Sequence, residues 1–203
     1  MIAIDPKTQA DRDNYKLLIG SVVPRPIALV TTLSADGVLN AAPFSFFSVV
    51  ASAPPLLSVS VQRTAGGRRK DTARNALARR ELVIHVVDES NVAAANRTAA
   101  GLPPDESEVA FAGLTPVAGM AVGVPGIREA KIRMECVLEH AFELGGSGDG
   151  ASCDLLIARV VLFHVDEALL DRGRIDERML APVSRLAGDN YATLGRVFAM
   201  ERP

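Results

Sequence analysis

Arg63, Arg68, Arg69 and Lys70 crowd together just ahead of Asp71-Thr72, which opens a stretch suited to a helix over 72–79. The first N–H groups of a helix have no partner within it, and nearby cations strengthen its positive end, so such a junction suits a phosphate. It equally suits a solvated loop ahead of an ordinary N-cap at Asp71 or Thr72, because charge runs usually face water. A second run, Asn40-Ala41-Ala42-Pro43-Phe44-Ser45-Phe46-Phe47-Ser48-Val49-Val50, mixes small residues, hydroxyls and three phenylalanines in one turn-prone segment. Small side chains let a planar ligand reach backbone N–H and C=O groups, phenylalanines give apolar walls, and serines donate to polar oxygens. On composition alone the same run could plug the end of a barrel.

Other chemistries find little support. His85, His140 and His164 lie far apart on expected strands, without the spacing of a zinc site. No nucleophile elbow, phosphate-binding P-loop or zinc-protease motif occurs. The glycine-rich run 145–150 precedes a strand instead of opening a helix, so it reads as a hairpin tip, not a dinucleotide fingerprint. With so few reactive side chains, any redox role needs a cofactor. A pocket joining the aromatic run to the phosphate cradle would suit flavin mononucleotide (FMN).

The elements that must position these residues are mostly strands. Pro24-Arg25-Pro26 is a stiff extended entry, and Ile27–Leu33 is rich in β-branched residues. Ala35-Asp36-Gly37 turns the chain into a return strand, Val38–Ala42, which makes a hairpin. Leu56–Val61 alternates apolar residues with serine, whereas Leu82–Val87 is apolar on both faces, as in a central strand. A helix is expected over 91–100 and a surface excursion over 101–126. Ile132, Met134, Cys136 and Leu138 then alternate with Lys131, Arg133, Glu135 and Val137, and Asp154–Val165 returns beside them. The tail 182–191 is too polar and glycine-punctuated for a core element. Many strands and few helices predict a mainly β fold with peripheral helices, in a single domain over 1–203.

Composition agrees. At 203 residues, 48% hydrophobic and 23% charged, the chain can build a core. Its formal net charge of −2 argues against nucleic-acid or anionic-membrane partners. No basic, apolar leader opens the sequence, and no uncharged apolar run could span a bilayer, so a cytoplasmic location is expected. Cys136 and Cys153 are too few for a disulfide framework and read as buried thiols; no metal is expected.

Taken in order, Pro24–Thr32, Asn40–Ser48, Pro54-Pro55, Lys70-Asp71-Thr72 with Asn75, and Pro182–Gly188 with Tyr191 make the chain resemble the flavin reductase-like family, with its FMN-binding split barrel, over about residues 14–196. The resemblance implies a six-stranded antiparallel split β-barrel, a homodimer, and FMN near the dimer interface. By its motifs, Ser45, Phe46, Phe47 and Ser48 would line the isoalloxazine and ribityl chain, Ser60 would face it from the next strand, and Leu29 and Thr31 would lie beneath the ring. Lys70, Asp71 and Thr72 would hold the phosphate, together with Arg63. The chain departs at Leu29, where many members carry Trp, and at Ala187, often Gly. The implied activity is hydride transfer from NADH or NADPH to flavin, compatible with supplying a partner monooxygenase; no motif here chooses the nucleotide. His164 would assist a proton step only if it faces the pocket. A non-enzymatic FMN electron carrier and an oxidase resembling pyridoxamine phosphate oxidase are the rival readings.

Overall fold

The computed structural model describes residues 1–146 and 150–202. Seven strands form the main sheet: β1 (Ala28–Leu33), β2 (Leu39–Phe44), β3 (Phe47–Ser52), β4 (Pro55–Gln62), β5 (Glu81–Val86), β6 (Ile132–Leu144) and β7 (Cys153–Val165). Their order is β2-β1-β5-β6-β7-β4-β3, with every neighbouring pair antiparallel. The fold is mainly β, but the main sheet has seven strands and not six. The difference arises at Ser45-Phe46, where a bend divides the turn-prone run into two strands with different partners: β2 pairs with β1, and β3 with β4.

That bend also shapes the sheet. Laid flat, the outer strands of seven would lie about 29 Å apart at normal strand spacing. Phe44 and Phe47 end β2 and begin β3, and three residue steps span at most about 11 Å. The sheet therefore curls until its two edge strands meet at this corner. No hydrogen-bonded ladder joins them among the described residues.

Inside the curl lies the principal core, with Val30, Val59, Leu82, Ile84, Cys136 and Leu156 all buried. A second cluster, including Leu29, Ala41, Val109, Leu114 and Ile127, lies on the other face of β1 and β2. The excursion 101–126 covers it, because it contains α4 (Glu108–Ala112) as well as a short strand, Pro116–Val117. Strand β1 is thus buried on both faces. Helix α1 (Asp11–Ser21) buries Ile19, helix α2 (Asp71–Arg79) buries Thr72, Ala73, Asn75 and Ala76 against the sheet, and α3 (Val92–Arg97) is shorter than its expected span. The tail does form structure at the surface: Ser184–Arg185 pairs with both Arg25–Pro26 and Tyr191–Ala192. Of the two thiols, Cys136 is buried but Cys153 is only half-buried. The expected reversal at 145–150 includes Ser147, Gly148 and Asp149, which lie outside the described residues.

Candidate functional site

A cleft of about 520 Å³ opens where β2, the start of α2 and the segment 98–104 converge. Asn40, Ala42 and Phe44 line it from β2, Lys70, Asp71 and Thr72 from the helix start, and Arg68 from the preceding loop. Helix α2 begins with no side-chain cap; its first backbone bond runs from Arg74 N–H to the Lys70 carbonyl. The N–H groups of Asp71, Thr72 and Ala73 therefore have no partner within the helix. Among the described residues neither Arg68 nor Lys70 has a carboxylate within 4.0 Å, whereas Arg74 pairs with Asp71 at 2.6 Å. Two cations without a carboxylate partner among the described residues thus stand beside N–H groups that have no partner within the helix.

A buried polar network fixes the floor. Asn40 Oδ1 accepts from the hydroxyls of Thr32 at 3.1 Å and Thr72 at 3.0 Å, and Asn40 Nδ2 donates to Glu108 Oε2 at 3.0 Å. The same carboxylate oxygen accepts from Ala41 N–H at 3.2 Å. Burial pushes the Glu108 carboxyl up, opposed by these hydrogen bonds. Glu108 was not among the residues expected at the site, and Asn40 was expected only as the first residue of the aromatic run, with no role of its own. Asn40 had a legible signal, as an amide between apolar Leu39 and Ala41 in a strand; Glu108 had none, since it reaches the floor from the excursion.

The remaining expected residues fall into four groups. Ser45 and Phe46 form the corner between the edge strands: the Ser45 hydroxyl is 3.4 Å from Arg25 Nε, and the Phe46 carbonyl accepts from Ser60 N–H at 2.9 Å. Phe47 packs against the core, while Ser48 and Ser60 face outward in two cross-strand rows, Ser48-Ser58-Ile157-His140 and Ser60-Leu155-Phe142. Leu29 and Thr31 lie on the far face of β1, Leu29 in the second core cluster and Thr31 donating to the Pro125 carbonyl at 2.8 Å. Arg63 is engaged by carboxylates: Asp154 at 2.7 Å and Glu143 at 2.7 Å. The cleft thus unites Lys70, Asp71 and Thr72, and it does not include the other eight.

The histidines stand apart from it. His85 is fully buried, its Nδ1 2.8 Å from the Leu29 carbonyl and its Nε2 accepting from Ile127 N–H at 2.9 Å, an arrangement that requires the neutral Nδ1–H tautomer. Desolvation pushes it down to about 4. His164 Nε2 lies 2.6 Å from Glu135, whose carboxylate accepts from the N–H groups of Met120, Ala121 and Val122. Burial alone would raise the Glu135 carboxyl, but these bonds hold it down to about 2. His164 lines a separate, polar cavity of about 570 Å³ with Arg128, Lys131 and Arg133. Among the described residues no cluster of three or more His, Cys, Asp or Glu could hold a metal, and no helix is long and apolar enough to cross a membrane.

The model of the flavin reductase like domain matches residues 19–179, and the chain belongs to that family. It is similar in structure to nitrilotriacetate monooxygenase component B from Bacillus cereus, with a TM-score of 0.97, 58% identity and 98% of each chain covered. It also resembles the 2-nitrobenzoate 2-nitroreductase NbaA of Pseudomonas fluorescens, with a TM-score of 0.89 and 28% identity over 100% of this chain and 96% of that one. In sequence it is 55% identical to the protein YwrF of Bacillus subtilis over 95% of this chain and 94% of that protein.

Proposed function

We propose that the chain binds FMN with its phosphate at the start of α2, takes electrons from NADH or NADPH, and supplies reduced flavin to a partner monooxygenase. The observation that carries this reading is the uncapped start of α2 opening into a cleft floored by Asn40, beside Arg68 and Lys70, which have no carboxylate partner among the described residues. The donor set fits the phosphate end of FMN: two cations and three free N–H groups meet a dianion that would otherwise be costly to bury. The likeness to a monooxygenase component B supports the partner.

When bound, the flavin ring supplies two-electron acceptance, which no side chain here could provide. The protein's part is placement. Lys70 and Arg68 neutralise the phosphate, the N–H groups of Asp71 and Thr72 orient it, and the Asn40 network keeps β2 and α2 in fixed relation. Phe44 supplies an apolar wall. Glu108 lines the cleft floor and holds Asn40 and Ala41 in place, leaving phosphate neutralisation to the cations at the mouth.

The chain acts as a homodimer in this reading. Leu155, Ile157 and Phe142 stand with Ser48 and Ser60 on the outer face of the sheet, outside both core clusters, and Phe142 is 50% exposed. An exposed apolar patch of this kind suits a second copy, which would bring Ser48 and Ser60 into a flavin site between protomers. Light scattering tests the dimer. Flavin absorbance of the purified protein, or its restoration by FMN, tests the cofactor; a colourless protein that ignores added FMN would remove both the reductase and the carrier readings.

A further inference from the structure

We infer that Asp154, on β7 and outside the cleft, is a positioning residue for the phosphate end: it pins both ends of the loop that carries the cleft's cations. The inference rests on the FMN reading above. The loop Thr64–Arg68 is closed on itself, with Thr64 N–H donating to the Arg68 carbonyl at 3.0 Å and Gly67 N–H to the Thr64 carbonyl at 2.8 Å. Gly67 sits at φ +73°, where other residues would be strained. Arg63 precedes this loop and Arg69 follows it, and both guanidinium groups converge on one carboxylate. Arg63 reaches Asp154 through Nη2 at 2.7 Å and Nε at 3.0 Å; Arg69 reaches it through Nε at 3.0 Å.

Asp154 is well placed for the task. It is 1% exposed and stands in register between Val61 of β4 and Glu143 of β6, so its backbone is held on both sides. Glu143 completes the cluster by accepting from Arg63 at 2.7 Å and from Arg69. Burial would push the Asp154 carboxyl up, but the hydrogen bonds and charges of the two arginines hold it below the usual carboxylate range, so it stays ionised. Thr64, Arg68, Arg69 and Lys70 all line the cleft. Fixing Arg63 and Arg69 on the sheet therefore fixes where Arg68 and Lys70 present their charge.

The sign of the effect separates placement from simple electrostatics. Removing a carboxylate makes the region more positive, which by charge alone favours a phosphate. Weaker FMN binding after its removal, with riboflavin little changed, therefore reports lost placement of the phosphate-binding groups. The test compares FMN with riboflavin, which lacks the phosphate, by fluorescence titration of wild type, Asp154→Asn and Lys70→Ala. The expected result is that Asp154→Asn weakens FMN by about tenfold or more, the range for losing charged hydrogen bonds, with riboflavin changed less than about twofold. Equal weakening of both ligands, or no change in either, would overturn the inference and leave the FMN site standing, provided Lys70→Ala still weakens FMN selectively. If Lys70→Ala also fails to separate the two ligands, the FMN reading falls and the inference with it. Glu143→Gln, at a carboxylate whose side chain is 56% exposed, makes the same comparison without opening the interior; it should show a smaller loss with the same selectivity, and equal loss of both ligands would count against the clamp.

Discussion

The Thr72 hydroxyl donates to Asn40 Oδ1 across 3.0 Å, tying the first turn of α2 to the floor strand of the cleft. The donor of Thr72 is thereby used inside the protein, so toward a phosphate Thr72 offers its backbone N–H. Thr72→Val should cost about 1 kcal/mol of stability, the worth of one hydrogen bond, since Thr32 still donates to Asn40 Oδ1, and should weaken FMN less than Lys70→Ala does. Thr72→Ser should restore the stability. Urea unfolding with an unchanged m-value checks the first point. A Thr72→Val protein as stable as wild type would contradict the network.

In the proposed site Lys70 faces the phosphate, and among the described residues it has no carboxylate partner. Lys70→Ala should weaken FMN binding by about 1–3 kcal/mol, the range for removing one partner of a charged group. The loss should shrink as salt screens the cleft mouth. A fluorescence titration that finds unchanged affinity would remove Lys70 from the site.

Stability should fall on the acid side in two windows. His85 is held neutral in the fold, with its pKa lowered from 6.5 to about 4. A lowered folded pKa means that the unfolded chain binds the proton first, so stability present above pH 6.5 is lost as pH falls toward 4, by about 3 kcal/mol at 1.36 kcal/mol per unit. Glu135 follows the same sign, losing its contribution from about pH 4.5 down to 2. Glu135→Gln should flatten the lower window and leave the upper one. Flat stability from pH 7 to pH 4 would contradict the burial of neutral His85.

The two thiols should react differently. Burial pushes Cys136 up to about 12, so it carries almost no thiolate at neutral pH, and Cys153 is half-buried at the start of β7. An aromatic disulfide reagent should titrate one thiol in the native protein, and Cys153→Ser should abolish that reaction.

What could be read in the sequence follows the range of the interactions. Strand alternation, the Ala35-Asp36-Gly37 hairpin and the start of α2 are local signals, and β1, β2, β4, β5 and α2 appear close to their expected places. The split of Asn40–Val50 into two strands was not legible, because the bend at Ser45-Phe46 is imposed by strands that pair on either side of it. Glu108 meets Asn40 across 68 positions, and Asp154 meets Arg63 across 91. No spacing rule connects residues so far apart, so the cations at 63–70 read as one cluster in sequence. In the fold they divide: Arg63 and Arg69 are tied to carboxylates of the sheet, whereas Arg68 and Lys70 have no carboxylate partner among the described residues.

The central claim is tested most directly by the visible spectrum of the purified protein with FMN, recorded before and after anaerobic addition of NADH or NADPH. A bound-flavin spectrum that bleaches rapidly with one nucleotide is the predicted result, and it also identifies the donor. A flavin spectrum that stays oxidised with both would contradict the reductase and favour a carrier or an oxidase.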